Sequence, residues 1–225
     1  MRPLDSYARK GLWAAVVWAV LLCYATFSHQ PPYQTDFAGW SRYVTSTEFL
    51  VSHLVGSILG AAIGVLGFVA LTVVLADSGA PRIGLWALVT SVLGTVATVA
   101  VFGVGAFAQP AIGRAYLAGH TDVDPLYHDV NSGPLFATAA PGVLLLSAGL
   151  ILYGIGVVRT RLAPWPAGLA IAVGGPLFAV VGVILADAVQ SAGAALLIVG
   201  TAWTAWAGRR AAAPAPAPAP APAGQ

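Results

Sequence analysis

The side chains best suited to chemistry in this sequence are four histidines, His29, His53, His120 and His128, and the carboxylates Asp36, Glu48, Asp122, Asp124, Asp129 and Asp187. Imidazole and carboxylate groups together can hold zinc or another divalent ion when three or four of them meet at roughly 2.0–2.2 Å from one point. Their spacing follows no metal-binding pattern, so a metal site would depend on the fold bringing them together, and no cofactor is predicted. His53 stands apart as the one histidine inside an apolar run. It reads either as an interfacial histidine bonded to a loop or to Asp187, or as a proton- or metal-binding residue. A bis-histidine haem within the apolar runs is disfavoured because no second run offers a histidine.

Other chemistry is poorly provided for. The sequence holds no Gly-x-Ser-x-Gly elbow, no His-Glu-x-x-His helix and no phosphate-cradling loop ending in Lys and Ser or Thr. Its single cysteine, Cys23, lies in the first apolar run, so no intrachain disulfide can form. A net charge of +2 with dispersed Lys and Arg gives no basic stripe for nucleic acid. Two further features bear on function through the backbone. Ser52, Gly56, Gly60, Gly64 and Gly67 place small residues on one helical stripe, which lets two helices approach closely, within this chain or between copies. Gly174, Gly175 and Pro176 interrupt an apolar run near its middle, where a broken helix can form either a plain kink or a hinge beside a transport cavity.

The elements that must position these residues follow from composition. Of 225 residues, 58% are hydrophobic and 8% charged, against roughly 25% charged in soluble domains, and the mean hydropathy is +0.83. A hydrocarbon core of about 30 Å takes roughly 20 helical residues to cross. Apolar runs of that order predict an all-α, polytopic transmembrane bundle of about six spans, near 11–28, 46–76, 84–108, 135–158, 165–186 and 189–207. The boundary between the last two, at Asp187, is the least defined, and a re-entrant pair is the alternative there.

Basic loops stay cytoplasmic. An inside N-terminus puts Arg2, Arg9, Lys10, Arg82, Arg159, Arg161, Arg209 and Arg210 within the cell and leaves Arg42 and Arg114 outside. Both termini are therefore expected in the cytoplasm and the protein in the cell membrane, with the first run a retained anchor. Residues 1–210 read as one transmembrane domain. The tail from Ala211 to Gln225 repeats Ala-Pro and is expected to be extended and disordered.

Local signals refine the picture. Thr45 and Glu48 have the spacing of a capping box ahead of the second span. Pro110 to Ala118, ended by Gly119, reads as a short separate helix at the membrane interface, with Tyr116 as a headgroup anchor. Pro134 falls in the first turn of the fourth span.

The run Trp40-Ser-Arg-Tyr-Val-Thr-Ser-Thr-Glu48-Phe-Leu-Val-Ser-His53-Leu-Val-Gly56-Ser-Ile-Leu-Gly60, with the loop lengths around it, resembles small multi-span bacterial integral membrane proteins of unknown function. The resemblance carries no site residue with it. The expected partners are the lipid bilayer and either a second copy or another membrane protein. The leading functional expectation is a non-enzymatic packing or accessory protein. The alternatives are a small-solute or ion transporter working through the broken fifth span, and a metal-binding protein or enzyme using the outer His and Asp groups.

Overall fold

Where water is excluded, a peptide group must find its hydrogen-bond partner within the chain, and an apolar run does so most locally as a helix. The computed structural model describes residues 3–27, 30–120, 122–181 and 187–210, with side chains from residue 6 onward. Among these residues there is no strand. In chain order the helices are α1 (Pro3–Ala25), α2 (Phe37–Val44), α3 (Thr47–Asp77), α4 (Pro81–Leu117), α5 (Val123–Val130), α6 (Gly133–Thr160), α7 (Trp165–Val181) and α8 (Asp187–Arg210). Five helical stretches, containing α1, α3, α4, α6 and α8, are long and apolar enough to cross a bilayer, and α7 is a shorter apolar helix.

Helix ends are set by local chemistry. Pro81, Pro134 and Pro166 occupy the first turns of α4, α6 and α7, where a missing N–H leaves no bond unmade. Asp36 caps α2, its carboxylate accepting from the Gly39 N–H at 2.7 Å. α3 closes with the Ala80 N–H on the Leu75 carbonyl at 2.8 Å, a wrap that requires the left-handed conformation seen at Gly79, φ +92°. Gly119, φ +93°, does the same for α4.

Six helices stand antiparallel and close into a ring in the order α1, α3, α4, α6, α7, α8 and back to α1. The ring fixes which termini share an end. Leu12 meets Gly208, Leu75 meets Gly156, and Gly154 meets Gly168, while Arg9 donates to the Gly208 carbonyl at 3.3 Å. Arg9, Lys10, Arg82, Arg159, Arg161, Arg209 and Arg210 thus gather at one end, here called the basic end. At the opposite end α2 and α5 lie over the long helices and form a cap. α4, at 37 residues, is about 55 Å long at 1.5 Å per residue, so it outruns a 30 Å hydrocarbon layer and joins the cap.

Packing inverts the pattern of a soluble domain. Small residues, including Ala87, Ser91, Gly94, Ala167, Gly193 and Ala194, fill the helix contacts. Large apolar ones such as Leu66, Leu93, Val96 and Leu144 point outward. Where lipid surrounds the protein, outward Leu and Val cost nothing, and close backbone approach provides the attraction. Large residues enter mainly as a line of rings, with Trp18 edge-on to Phe68 at 5.1 Å and Phe68 stacked on Tyr153 at 5.7 Å. The buried Tyr153 hydroxyl donates to the Phe68 carbonyl at 2.9 Å and lies 2.8 Å from the Thr72 hydroxyl, tying α6 to α3.

Three expectations require correction. The cap before α3 is Ser46, whose Oγ accepts from the Phe49 N–H at 3.2 Å. Thr45 instead donates back to the Ser41 carbonyl at 2.9 Å and closes α2, so the Thr45 and Glu48 box does not form. The stretch Pro110–Ala118 is not a separate helix: Val104–Ala108 is a π-helical turn that carries α4 on past Pro110 to Leu117. A widened turn tolerates the missing N–H and the ring of a proline one turn on. The first helix runs from Pro3 to Ala25 rather than from 11 to 28. α7 and α8 pack side by side as antiparallel helices, Gly174 on Gly193 and Ala167 on Gly200. Residues 182–186, His29 and the Ala-Pro tail lie outside the described residues.

Candidate functional site

The cap is built on aromatic rings set one helical turn apart. Tyr33, Phe37 and Trp40 follow at four and three residues, so the last two share a face of α2. That face meets Tyr116 from the end of α4 and Tyr127 from α5. Trp40 is fully buried at the centre, edge-on to Tyr127 at 5.1 Å and 5.1 Å from Phe37. Tyr33 lies 4.1 Å from Tyr127, and Phe37 lies 4.8 Å from Tyr116. Burial, with Tyr33 beside it, pushes the Tyr127 hydroxyl up to about 12, so that hydroxyl is uncharged at any physiological pH. The Trp40 Nε1 and Ser41 Oγ are buried without a hydrogen-bond partner among the described residues. Hollows of about 460 and 450 Å³ flank Tyr33 and His128.

His53 belongs to a neighbouring cluster at the root of the cap. It sits in a π-helical stretch, Ser52–Leu59, its ring tilted against that of Phe49 with centroids 4.0 Å apart. Its Nδ1 is 3.0 Å from the Phe49 carbonyl and 3.2 Å from Ser52 Oγ. A carbonyl can only accept, so Nδ1 carries the proton and Nε2 the lone pair. The Ser52 hydroxyl reaches the same carbonyl at 2.8 Å. Both side chains draw on an oxygen that a regular α-helix would bond only to an N–H, which favours the wider turn. The other edge of the imidazole rests on the π turn of α4: a methyl group at Gly105 would fall 2.8 Å from His53 Cδ2 and 2.9 Å from Nε2. A third π turn, Leu177–Val181, follows Pro176, so all three lie in the cap half of the ring.

The remaining candidates fall as follows. His128 and Asp124 approach to 3.9 Å on the exposed face of α5, where solvent screens an ion pair to little effect. His120 is exposed just after Gly119, Asp122 precedes α5 without capping it through its side chain, and Asp187 opens α8. Among the described residues, no three His, Cys, Asp or Glu side chains come together in the way a metal ion requires. His53 bonds within its own helix, away from the His128 and Asp124 pair.

The small-residue stripe faces α1. A methyl group at Gly56 would lie 2.9 Å from Ala25 Cβ, one at Gly60 3.2 Å from Leu21 Cβ, and one at Gly64 2.7 Å from the Trp18 ring. Gly67 rests directly on the Ala15 backbone, and Ser52 is buried. Gly174 and Gly175 are occupied in the same sense, the first 2.8 Å short of the Gly193 carbonyl and the second 2.7 Å short of Leu150 Cβ. At the ring's centre the void lined by Trp18, Leu22, Ala61, Thr95 and Phe178 holds about 10 Å³, too little for a water file.

Sequence reasoning overlooked the aromatic cluster as a unit, although the spacing of Tyr33, Phe37 and Trp40 signals it. It also overlooked a pairing at the basic end, where Arg82 and Arg159, 77 positions apart, line one cavity. No protein-family model, no curated protein and no solved structure matches the chain.

Proposed function

We propose that this chain is a six-span integral protein of the cell membrane, with both termini in the cytoplasm, that serves as a non-enzymatic packing or accessory protein. The observation that carries this reading is the filled ring: six antiparallel helices in close glycine-mediated contact around a centre with room for about 10 Å³. The gathering of Arg9, Lys10, Arg82, Arg159, Arg161, Arg209 and Arg210 at one end supports the orientation, since cationic ends are retained inside. The outward Leu, Val and Phe side chains support the lipid contact. The alternative of transport through α7 is disfavoured by the tight seating of Gly174 and Gly175.

Cysteine accessibility tests the topology, because the one native cysteine, Cys23, is buried. In a Cys23→Ala background, cysteines at Gln34 and Asp122 should react with an impermeant maleimide on intact cells. Those at Ser78 and Arg161 should react only after permeabilisation, and the reverse pattern would overturn the orientation. Proteoliposomes should show no solute or ion flux above empty vesicles; a flux abolished by Gly175→Leu would replace this reading with transport.

A further inference from the structure

Two hollows meet at one side chain on the basic end. The turn between α3 and α4 and the last turn of α6 enclose a cavity of about 600 Å³, lined by Ser78, Gly79, Pro81, Arg82, Arg159 and Thr160. On the next face of α6, a trough of about 300 Å³ runs between α6 and α7, lined by Ile155, Val158, Trp165, Leu169 and Ala172. Arg159 lines both. Arg82 and Arg159 both line the cavity, and among the described residues no carboxylate lies within ion-pair distance of either. Asp77, the nearest acid in sequence, is outside its lining. The trough is apolar apart from Arg159, and Trp165 stands at its mouth, 64% exposed.

We propose that these hollows together bind an anionic phospholipid from the leaflet at the basic end, with its phosphate between Arg82 and Arg159 and one acyl chain along the trough. Guanidinium groups offer planar, paired N–H donors that match phosphate oxygens. Two cations at headgroup depth, neither paired with a carboxylate among the described residues, attract an anion that the surrounding leaflet supplies at high local concentration. A soluble phosphate would fill only the cavity. Only an amphiphile uses the cavity and the trough at once, and the shared Arg159 sets the two at the junction of head and tail. The indole of Trp165 suits the same interfacial depth. The inference rests on the reading of this chain as membrane-spanning.

The test uses the full-length protein in nanodiscs and, after detergent extraction, native mass spectrometry with phosphatidylglycerol, phosphatidylcholine of the same chains, and inorganic phosphate. Phosphatidylglycerol should be retained in preference to phosphatidylcholine. Arg82→Gln with Arg159→Gln should weaken that retention about thirty-fold, from about 1 kcal/mol for each cation near a membrane surface. Arg209→Gln with Arg210→Gln removes the same charge from the same end and should leave retention within about threefold. Leu169→Trp fills the trough, keeps both cations, and should also weaken retention. An equal loss in both arginine pairs would reduce the effect to general surface charge and overturn the site. Phosphate displacing the lipid at equal concentration would overturn the lipid as occupant, and full retention in Leu169→Trp would overturn the trough. Unchanged thermal unfolding of each variant in phosphatidylcholine confirms folding. Failure to enter nanodiscs would refute the membrane reading itself, whereas entry without lipid preference would refute only this site.

Discussion

Replacing Gly67 with alanine should push α1 and α3 apart, and replacing Gly60 should not. At Gly67 the new methyl falls on the Ala15 backbone, 2.7 Å from its Cα and 2.8 Å from its Cβ. A backbone cannot rotate out of the way, so the helices themselves must separate. Overpacking of this kind costs about 1–3 kcal/mol. The substitution returns up to about 1 kcal/mol of helix propensity, leaving a net loss of up to about 2 kcal/mol. At Gly60 the nearest atom is Leu21 Cβ at 3.2 Å. A shift of a few tenths of an ångström relieves that contact, and the propensity gain cancels the cost or exceeds it. Gly64→Ala meets the Trp18 ring, a side chain with limited freedom, and should fall between. The expected separation of Gly60→Ala from Gly67→Ala is about 2 kcal/mol, roughly thirty-fold in the unfolding constant. Reversible unfolding in mixed micelles at increasing dodecyl sulfate fraction, followed by tryptophan fluorescence, measures the order. Equal stabilities, or Gly67→Ala above wild type, would show that α1 and α3 do not meet at this register.

Gly105→Ala should cost about 1–2 kcal/mol, because the His53 ring can make room only by leaving the Phe49 carbonyl. In a His53→Ala background most of that cost should vanish, a coupling of at least about 1 kcal/mol in a double-mutant cycle; strict additivity would refute the contact. Tyr153→Phe removes the bond to the Phe68 carbonyl while keeping the ring stack, and should lower stability by about 0.6–1.7 kcal/mol in the same unfolding assay. No change there would mean that the hydroxyl has no partner in α3. Ser41→Ala deletes a buried hydroxyl without a partner and should be neutral or stabilising by about 1 kcal/mol. A loss of more than about 1 kcal/mol would reveal a water or ligand held against it.

The chain's own order of residues determined where the helices are. Runs such as Thr47–Asp77 and Gly133–Thr160 are apolar over enough length that only intrahelical bonds satisfy their peptides, and this constraint is local. The same locality makes the stripe from Ser52 to Gly67 and the Pro134 start readable from a few neighbouring residues. It falters where two adjacent residues compete, as Thr45 and Ser46 do for the cap. It falters again where a proline is absorbed by a π turn, as at Pro110, since the widened turn depends on what packs beside it. Closure of the ring was decided by tertiary structure alone. So was the seating of His53 on Gly105, and so were the burial of Trp40 among rings from three segments and the placing of Arg82 and Arg159 on one cavity. Each of these depends on helices distant in sequence crossing at one glycine or another. In Ala-, Gly-, Val- and Leu-rich spans many crossings look alike until all six helices must be satisfied at once.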